Sequence, residues 1–538
     1  MRVPPGPAMA MDESLSLAVR ARRWRGIFVV LFVLVLACKV VIAATLSPFG
    51  DEAFYWQESL QPAWGYSDLP PLTAWLIAGS EAVFGHGLLA MRVPFLLLGS
   101  LVPWLVAALA RHGGGPVAPW QAATFALLLP LGGSLGVLAL PDVPLTVAIL
   151  LAARGLVEAL ETNRKRDWCL LGLGLAMAWC THYRAAMAML AGLVFMLFMP
   201  RGRRTWRMWG WWGAMAVAAL GLLPLALYNV ASRGAGLAFQ LVDRNPWQFH
   251  ADALVQPLEQ ALACTPLLYL VLLWGLWQAW RRRGEAPFDV VAALGGTFVI
   301  AYFALGLFAD DVRFRVHWPL PGYLLTCALL PALLAGASIP MRRFAGVAMA
   351  VAGVGLALGL AYLGLAASPR GAGVLAHAKA FPSNFTGWRE VAAALPPRPA
   401  GTVLVADNFM LAAELRFTLG APVPVYSLDS PLNAKHGRAA QLNAWARDET
   451  ALQALAPAPV LLVVDETALR ERETRDWLGS LCARVDIVRP LGRVDAFDGR
   501  RRFAFYEARA RSMRRGAIPP DQCIAWTAAY EAATVRPR

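Results

Sequence analysis

Two carboxylates stand side by side at Asp51 and Glu52, just beyond the first long apolar run of the chain. They open the stretch FGDEAFYWQESLQPAWGYSDLPPLTAWL (49–76), which also holds Tyr66 and Asp68 ahead of a Pro-Pro pair. A carboxylate so placed can act as a general base, taking or orienting the proton of an attacking hydroxyl. Polar side chains recur in later breaks between apolar runs: Arg92, then Asp142 in LPDVPLT, then His182, Tyr183 and Arg184. Arg244 and His250 follow, and after them Arg313, Arg315 and His317. Arginine offers phosphate a planar fork of donors. Ionisable groups near membrane depth usually face a polar cavity. Carboxylates on one wall with Arg and His on the others would suit a substrate bearing both a lipid tail and a phosphate. A plainer reading stands beside each residue. Glu58, Asp243 and Asp310 read as solvated loop charges, and Asp142 as a cap or helix-dipole partner.

The elements that must position these residues are membrane helices. The chain has 538 residues, 58% hydrophobic and 16% charged, with a mean hydropathy of +0.50. Soluble domains run near ~25% charged, so this composition describes a polytopic membrane protein. A span needs about 20 mostly apolar residues. Segments near 27–46, 90–110, 119–139, 143–161, 168–182, 185–199, 208–230, 257–279, 288–308, 317–336 and 344–366 give about eleven. Arg20 to Arg25, Arg111, Arg164 to Arg166, Arg201 to Arg207, Arg281 to Arg283 and Arg342–Arg343 fall in alternate loops. Cytoplasmic loops collect Lys and Arg, so the N-terminus is expected inside and the tail after residue 366 outside. The same bias accounts for the net charge of +14 without a nucleic-acid-binding module. Residues 27–46 read as an uncleaved span, since their apolar core is long for a signal peptide and no clean cleavage site follows. Segment 72–84 reads as an interfacial helix on the outer face, started by Pro70 and Pro71.

The expected organisation is a cytoplasmic segment 1–26, a membrane module 27–366 with a first outer loop 47–89, and an extracytoplasmic α/β domain 367–538. In that domain 401–407, 422–428, 459–465 and 501–508 read as strands alternating with helical pattern such as FMLAAELRFTL. It carries neither GxGxxG nor a P-loop lysine, so no nucleotide cofactor is expected and a lid or scaffold role is. Five cysteines lie in apolar segments and read as small packed hydrophobes. Cys482 and Cys523 could pair if the domain is extracytoplasmic.

The ordered features resemble the GT-C superfamily of polyprenyl-phosphate-sugar-dependent glycosyltransferases, specifically the bacterial aminoarabinose-transferase-like branch with families 39 and 83. The resemblance rests on Asp51–Glu52, GYSDLPPLTAWL, MRVPFLLLG (91–99), LPDVPL (140–145), THYRAAM (181–187), LYNVASRGAGLAFQLVDR (227–244) and VHWPLPGYL (316–324). It implies a GT-C fold of about eleven transmembrane helices in the bacterial plasma membrane, with a periplasmic C-terminal domain. It further implies sugar transfer from an undecaprenyl-phosphate-type lipid donor to lipid A, another glycolipid or a protein, with inversion at the anomeric carbon. Asp51 matches the family's catalytic or acceptor-positioning acid, Glu52 is its neighbour, and Asp142 matches a second functional acid. Tyr66, Asp68, Arg92, His182, Tyr183, Arg184, Arg244, His250, Arg313, Arg315 and His317 are then candidates for donor or acceptor contact. Leu69 is a departure, because many relatives carry Lys or His before Pro-Pro. The donor phosphate must then rely on other cations such as Arg184, Arg244, Arg313 or Arg315. A divalent metal on Asp51, Glu52 and Asp142 is left open. A lipid-linked glycan transporter and a polymer ligase are the alternatives. The chain shows no clear internal repeat of the transporter kind, and its acid pair follows the first span, which a ligase would lack.

Overall fold

The structure, a computed structural model, describes residues 7–243, 248–308, 315–470 and 473–511. Among the described residues six helices are long and apolar enough to cross a membrane: Leu15–Thr45, Leu88–Ala110, Asp142–Thr162, Trp209–Ala231, Phe288–Gly306 and Ile339–Ala366. Helices Ala253–Cys264 and Pro266–Arg281 add a seventh if that pair, bent by 110°, is one span. The chain is thus a multi-pass membrane protein, mostly helical, with a small sheet domain at its C-terminal end.

The other segments read as spans are also helical but shorter, and local chemistry says why. Ala118–Leu128 stops where Pro130 follows, since the residue before proline is pushed out of the helical region; Leu129 sits at φ −59°, ψ 117°. Lys165–Thr181 and Ala185–Phe198 are separated by the His182–Tyr183–Arg184 break. Leu72–Phe84 forms the expected helix, with Pro71 at its N-cap. One large apolar core runs through the bundle, from Val102 and Leu105 to Leu324 and Leu329.

Among the described residues the C-terminal domain holds one five-stranded sheet: β1 (Val403–Ala406), β2 (Val425–Ser427), β3 (Pro459–Asp465), β4 (Val485–Ala496) and β5 (Arg501–Ala510), in the order β2-β1-β3-β5-β4. β1 pairs in parallel with β2 and β3, whereas β5 runs antiparallel to both β3 and β4. The apolar runs PVLLVVD and VLVA make the buried middle of the sheet, as fully covered strands do. β4 escapes a reading for alternating apolar residues. It is an edge strand with charges and Pro490, and its pairing slips at Ile487/Arg489 and Pro490/Gly492. Helix Phe409–Leu419 is capped by Asn408, whose side-chain oxygen accepts from the N–H groups of Met410 and Leu411. That helix lies against Gly50–Ser59. Phe54, Trp56, Phe409, Ala413 and Phe417 form one shared apolar cluster, which ties the domain to the first loop of the membrane module. The suggested Cys482–Cys523 pairing falls on Cys523, outside the described residues.

Candidate functional site

Asp51 and Glu52 are adjacent in helix Gly50–Ser59, and a helix turns about 100° per residue, so their carboxylates diverge. Glu52 points inward and is fully buried. Its two oxygens accept from Nε and Nη2 of Arg92, both at 2.6 Å. Oε1 also accepts from the Ala139 N–H at 2.7 Å, and Oε2 from the Phe49 N–H at 3.2 Å. Arg92 spends its remaining donors on the carbonyls of Ala43, Leu46 and Ser47, which end the first helix. The pair therefore braces the exit of the first span against two later segments. Neither side chain has surface for a substrate, which corrects the expectation that Glu52 is catalytic and Arg92 a binding residue.

Asp51, Tyr55 and Glu58 follow at i, i+4 and i+7 and share the other helix face. That face receives Arg438, from helix Arg438–Ala444 of the C-terminal domain. The Arg438 guanidinium reaches Asp68 at 2.6 Å, Asp51 Oδ1 at 3.1 Å and Glu58 at 3.5 Å. It lies over Phe54, Tyr55 and Phe409 with centroid distances of 4.3, 4.9 and 5.6 Å. His436 adds a second nitrogen 3.8 Å from Asp51 Oδ1. Burial, and after it the neighbouring Asp68 carboxylate, pushes Glu58 well above the usual carboxylate range. Burial alone would lower the pKa of Arg438, but the Asp68 carboxylate at 2.6 Å and the Asp51 carboxylate at 3.1 Å outweigh it and hold the cation charged. Glu58 is thus buried chemistry rather than the solvated loop charge expected.

A second cluster forms where three further segments converge. Asp142, in the first turn of Asp142–Thr162, accepts from Arg184 Nη2 at 2.6 Å and meets His317 Nε2 at 3.3 Å. The Arg184 guanidinium also lies 5.4 Å from the Trp318 ring centroid. Asp142 is therefore more than a helix-dipole partner. Tyr55 lies between the two clusters: its ring stacks under Arg438, and its hydroxyl, whose pKa burial pushes well above the usual tyrosine range, is within electrostatic reach of Arg184. Arg315 is exposed and, among the described residues, makes no ion pair. Its charge reaches both His317 and His436, one in each cluster.

The remaining candidates divide. Asp68 is in the first cluster, and its backbone carbonyl accepts from Gln240 Nε2 at 2.9 Å. Tyr66 is structural: its hydroxyl donates to the Glu58 carbonyl at 2.9 Å and accepts from the Ala63 N–H, closing the loop. His182 Nδ1 accepts from the Arg184 N–H and so shapes the break that presents Arg184. Tyr183 packs against a tight turn, where a Cβ on Gly236 would sit 2.5 Å from its hydroxyl. His250 joins neither cluster among the described residues; its backbone N–H donates to Leu307. Arg244 and Arg313 lie outside the described residues, as do Asp310 and the side chain of Asp243. Asp51, Glu52 and Asp142 face three different sets of partners, so they do not form the metal ligand set left open above. Among the described residues no group of three His, Cys, Asp or Glu is placed to hold a metal ion. Arg438 and His436 were not anticipated. Nothing in NAKHGRAAQLNAW marks them, because the contact joins residues 387 positions apart in sequence.

Residues 68–228 match the family described as dolichyl-phosphate-mannose-protein mannosyltransferase. The undecaprenyl phosphate-alpha-4-amino-4-deoxy-L-arabinose arabinosyl transferase of Pseudomonas aeruginosa is 32% identical over 328 residues, 56% of this chain and 55% of that protein. The chain thus spans about half the length of that relative. The lipid A galacturonosyltransferase RgtD of Rhizobium johnstonii is 26% identical over 384 residues, 69% of this chain and 77% of that protein. The crystal structure of ArnT from Cupriavidus metallidurans bound to undecaprenyl phosphate aligns with a TM-score of 0.62 at 16% identity, covering 89% of this chain and 97% of that one. The chain accordingly has the fold of that ArnT, a helical membrane part joined to a small C-terminal sheet domain.

Proposed function

We propose that this chain is a membrane glycosyltransferase that moves a sugar from an undecaprenyl-phosphate-type lipid donor to an envelope lipid of the lipid A class. The observation that carries the reading is the pairing of two unlike clusters across Tyr55. One presents a part-exposed carboxylate, Asp51, and the other presents Arg184 and His317 with Arg315 beside them. The fold likeness to ArnT and the names of the two relatives support the same chemistry. In the reaction the acceptor hydroxyl loses its proton to Asp51 as its oxygen bonds to the anomeric carbon. The bond from that carbon to the phosphate oxygen breaks, and the lipid phosphate leaves with the electron pair, its charge met by arginine. The donor is already activated as a lipid phosphate, so a nucleotide site has no part in the scheme.

Arg315 takes over phosphate recognition where Leu69 replaces the customary cation. Hydrogen bonds to charged groups are worth ~1.5–3 kcal/mol, so Arg315→Ala should raise the KM for the lipid donor about 10- to 100-fold and change kcat less. Steady-state kinetics with a synthetic undecaprenyl-phosphate sugar reads this. An unchanged donor KM removes Arg315 from the phosphate site.

The reading also places the N-terminus in the cytoplasm and both clusters and the C-terminal domain on the outer face of the bacterial inner membrane. An alkaline phosphatase fusion after residue 375 should be active, and activity of a cytoplasmic reporter at the same place would overturn that topology. Mass spectrometry of envelope lipids from a deletion strain tests the reaction itself. One lipid should lose one sugar mass, and an unaltered lipid and glycan profile would count against the reading.

A further inference from the structure

We infer that Arg438, supplied by the C-terminal domain, is a positioning residue that turns the Asp51 carboxylate so that Oδ2 receives the acceptor proton. The inference rests on the glycosyl-transfer reading above and adds a role for the C-terminal domain, which that reading only places on the outer face. Both protein contacts of Asp51 fall on one oxygen. Arg438 Nη2 is 3.1 Å and His436 Nδ1 is 3.8 Å from Oδ1. Among the described residues Oδ2 accepts no hydrogen bond, and the side chain is 20% exposed, so a substrate can reach it. A carboxylate on a short stem otherwise rotates freely, and a guanidinium clamped to one oxygen fixes which oxygen faces the substrate.

Arg438 is itself held. Its side chain is 2% exposed, between three aromatic rings and with Nη1 on Asp68 at 2.6 Å. The backbone on either side is tied to the first outer loop. Ser67 Oγ donates to the Gly437 carbonyl at 2.6 Å, and the Ser67 N–H donates to Gln441 Oε1 at 3.1 Å. Gly437 is at φ +72°, and a Cβ there would meet the Phe239 ring at 2.5 Å, so the turn into the Arg438 helix requires glycine. The groups facing Asp51 are therefore Arg438 and His436 from the domain, Tyr55 and Glu58 from its own helix, and Asp68 from the loop behind.

The test uses the full chain in lipid nanodiscs, with Arg438→Met, Arg438→Lys, Asp51→Asn and the Asp51→Asn/Arg438→Met double variant. Sugar transfer and undecaprenyl phosphate binding are measured on each. Arg438→Met should lower kcat about 10²-fold with donor KM and undecaprenyl phosphate binding little changed. Arg438→Lys should recover part of that loss, since an ammonium replaces the charge but not the fork. The double variant should be no slower than Asp51→Asn alone, because a residue acting through Asp51 has nothing left to orient. Unchanged kcat in Arg438→Met overturns the inference. So does a kcat loss that comes with lost undecaprenyl phosphate binding and adds to that of Asp51→Asn, which would mark Arg438 as a domain anchor only. A wild-type chain that transfers no sugar from the lipid donor instead overturns the parent reading, and the inference with it.

Discussion

Asp51→Asn is expected to lower sugar transfer by about 10²–10⁴-fold, the range lost when a positioned general base is removed. The substitution is close to isosteric, and the amide oxygen can still accept from Arg438, whose other nitrogen keeps its 2.6 Å contact with Asp68. The helix and the domain contact should therefore survive. What disappears is the group able to take a proton. The loss should fall on kcat, with the KM for the lipid donor nearly intact, because the donor phosphate is assigned to the Arg184, Arg315 and His317 side of Tyr55. Undecaprenyl phosphate binding by the purified variant separates lost chemistry from a lost fold. Transfer at the wild-type rate would remove Asp51 from the mechanism.

The helices of this protein were legible because hydrophobic runs are local. So was FMLAAELRFTL, which forms helix Phe409–Leu419 with both ends where its pattern places them. Sheet strands in the buried middle were legible for the same reason, and β4 at the edge was not. The clusters were legible only in part. Asp142, Arg184 and His317 could be named because each interrupts apolar sequence at a cost that demands a partner. That they would choose one another depends on helix packing. Asp51 and Glu52 show the limit most clearly. They are chemically alike and adjacent, and no local signal distinguishes them. Only the helix beneath them turns one toward Arg92 and the bundle and the other toward Arg438 and the site. Glu58 read as solvated because the helix that covers it, with Arg438, comes from the other domain.

That divergence makes a second large effect calculable. Arg92→Met should destabilise the fold by about 3–5 kcal/mol, since it leaves the Glu52 carboxylate buried without its counter-charge. The Glu52 carboxylate has no exposed surface, so water cannot replace the lost guanidinium. The carbonyls of Ala43, Leu46 and Ser47 lose their donors at the same step, and each buried acceptor left unmet adds to the cost. The Glu52→Gln variant should suffer less. Its amide keeps the shape, and its oxygen can still accept from the Ala139 N–H, although Arg92 then lacks a counter-charge. The Glu52→Met/Arg92→Met double variant should be more stable than Arg92→Met alone, because replacing both charges with apolar side chains removes the desolvation penalty along with the attraction. Thermal unfolding of the three purified variants in one detergent reads the order. If Arg92→Met melts with the wild type, the pair is not a brace and Glu52 returns as a candidate for the chemistry. If it melts far below, while Glu52→Gln retains transfer, the two acids have separate work: Glu52 holds the helix in place so that Asp51 can meet the substrate.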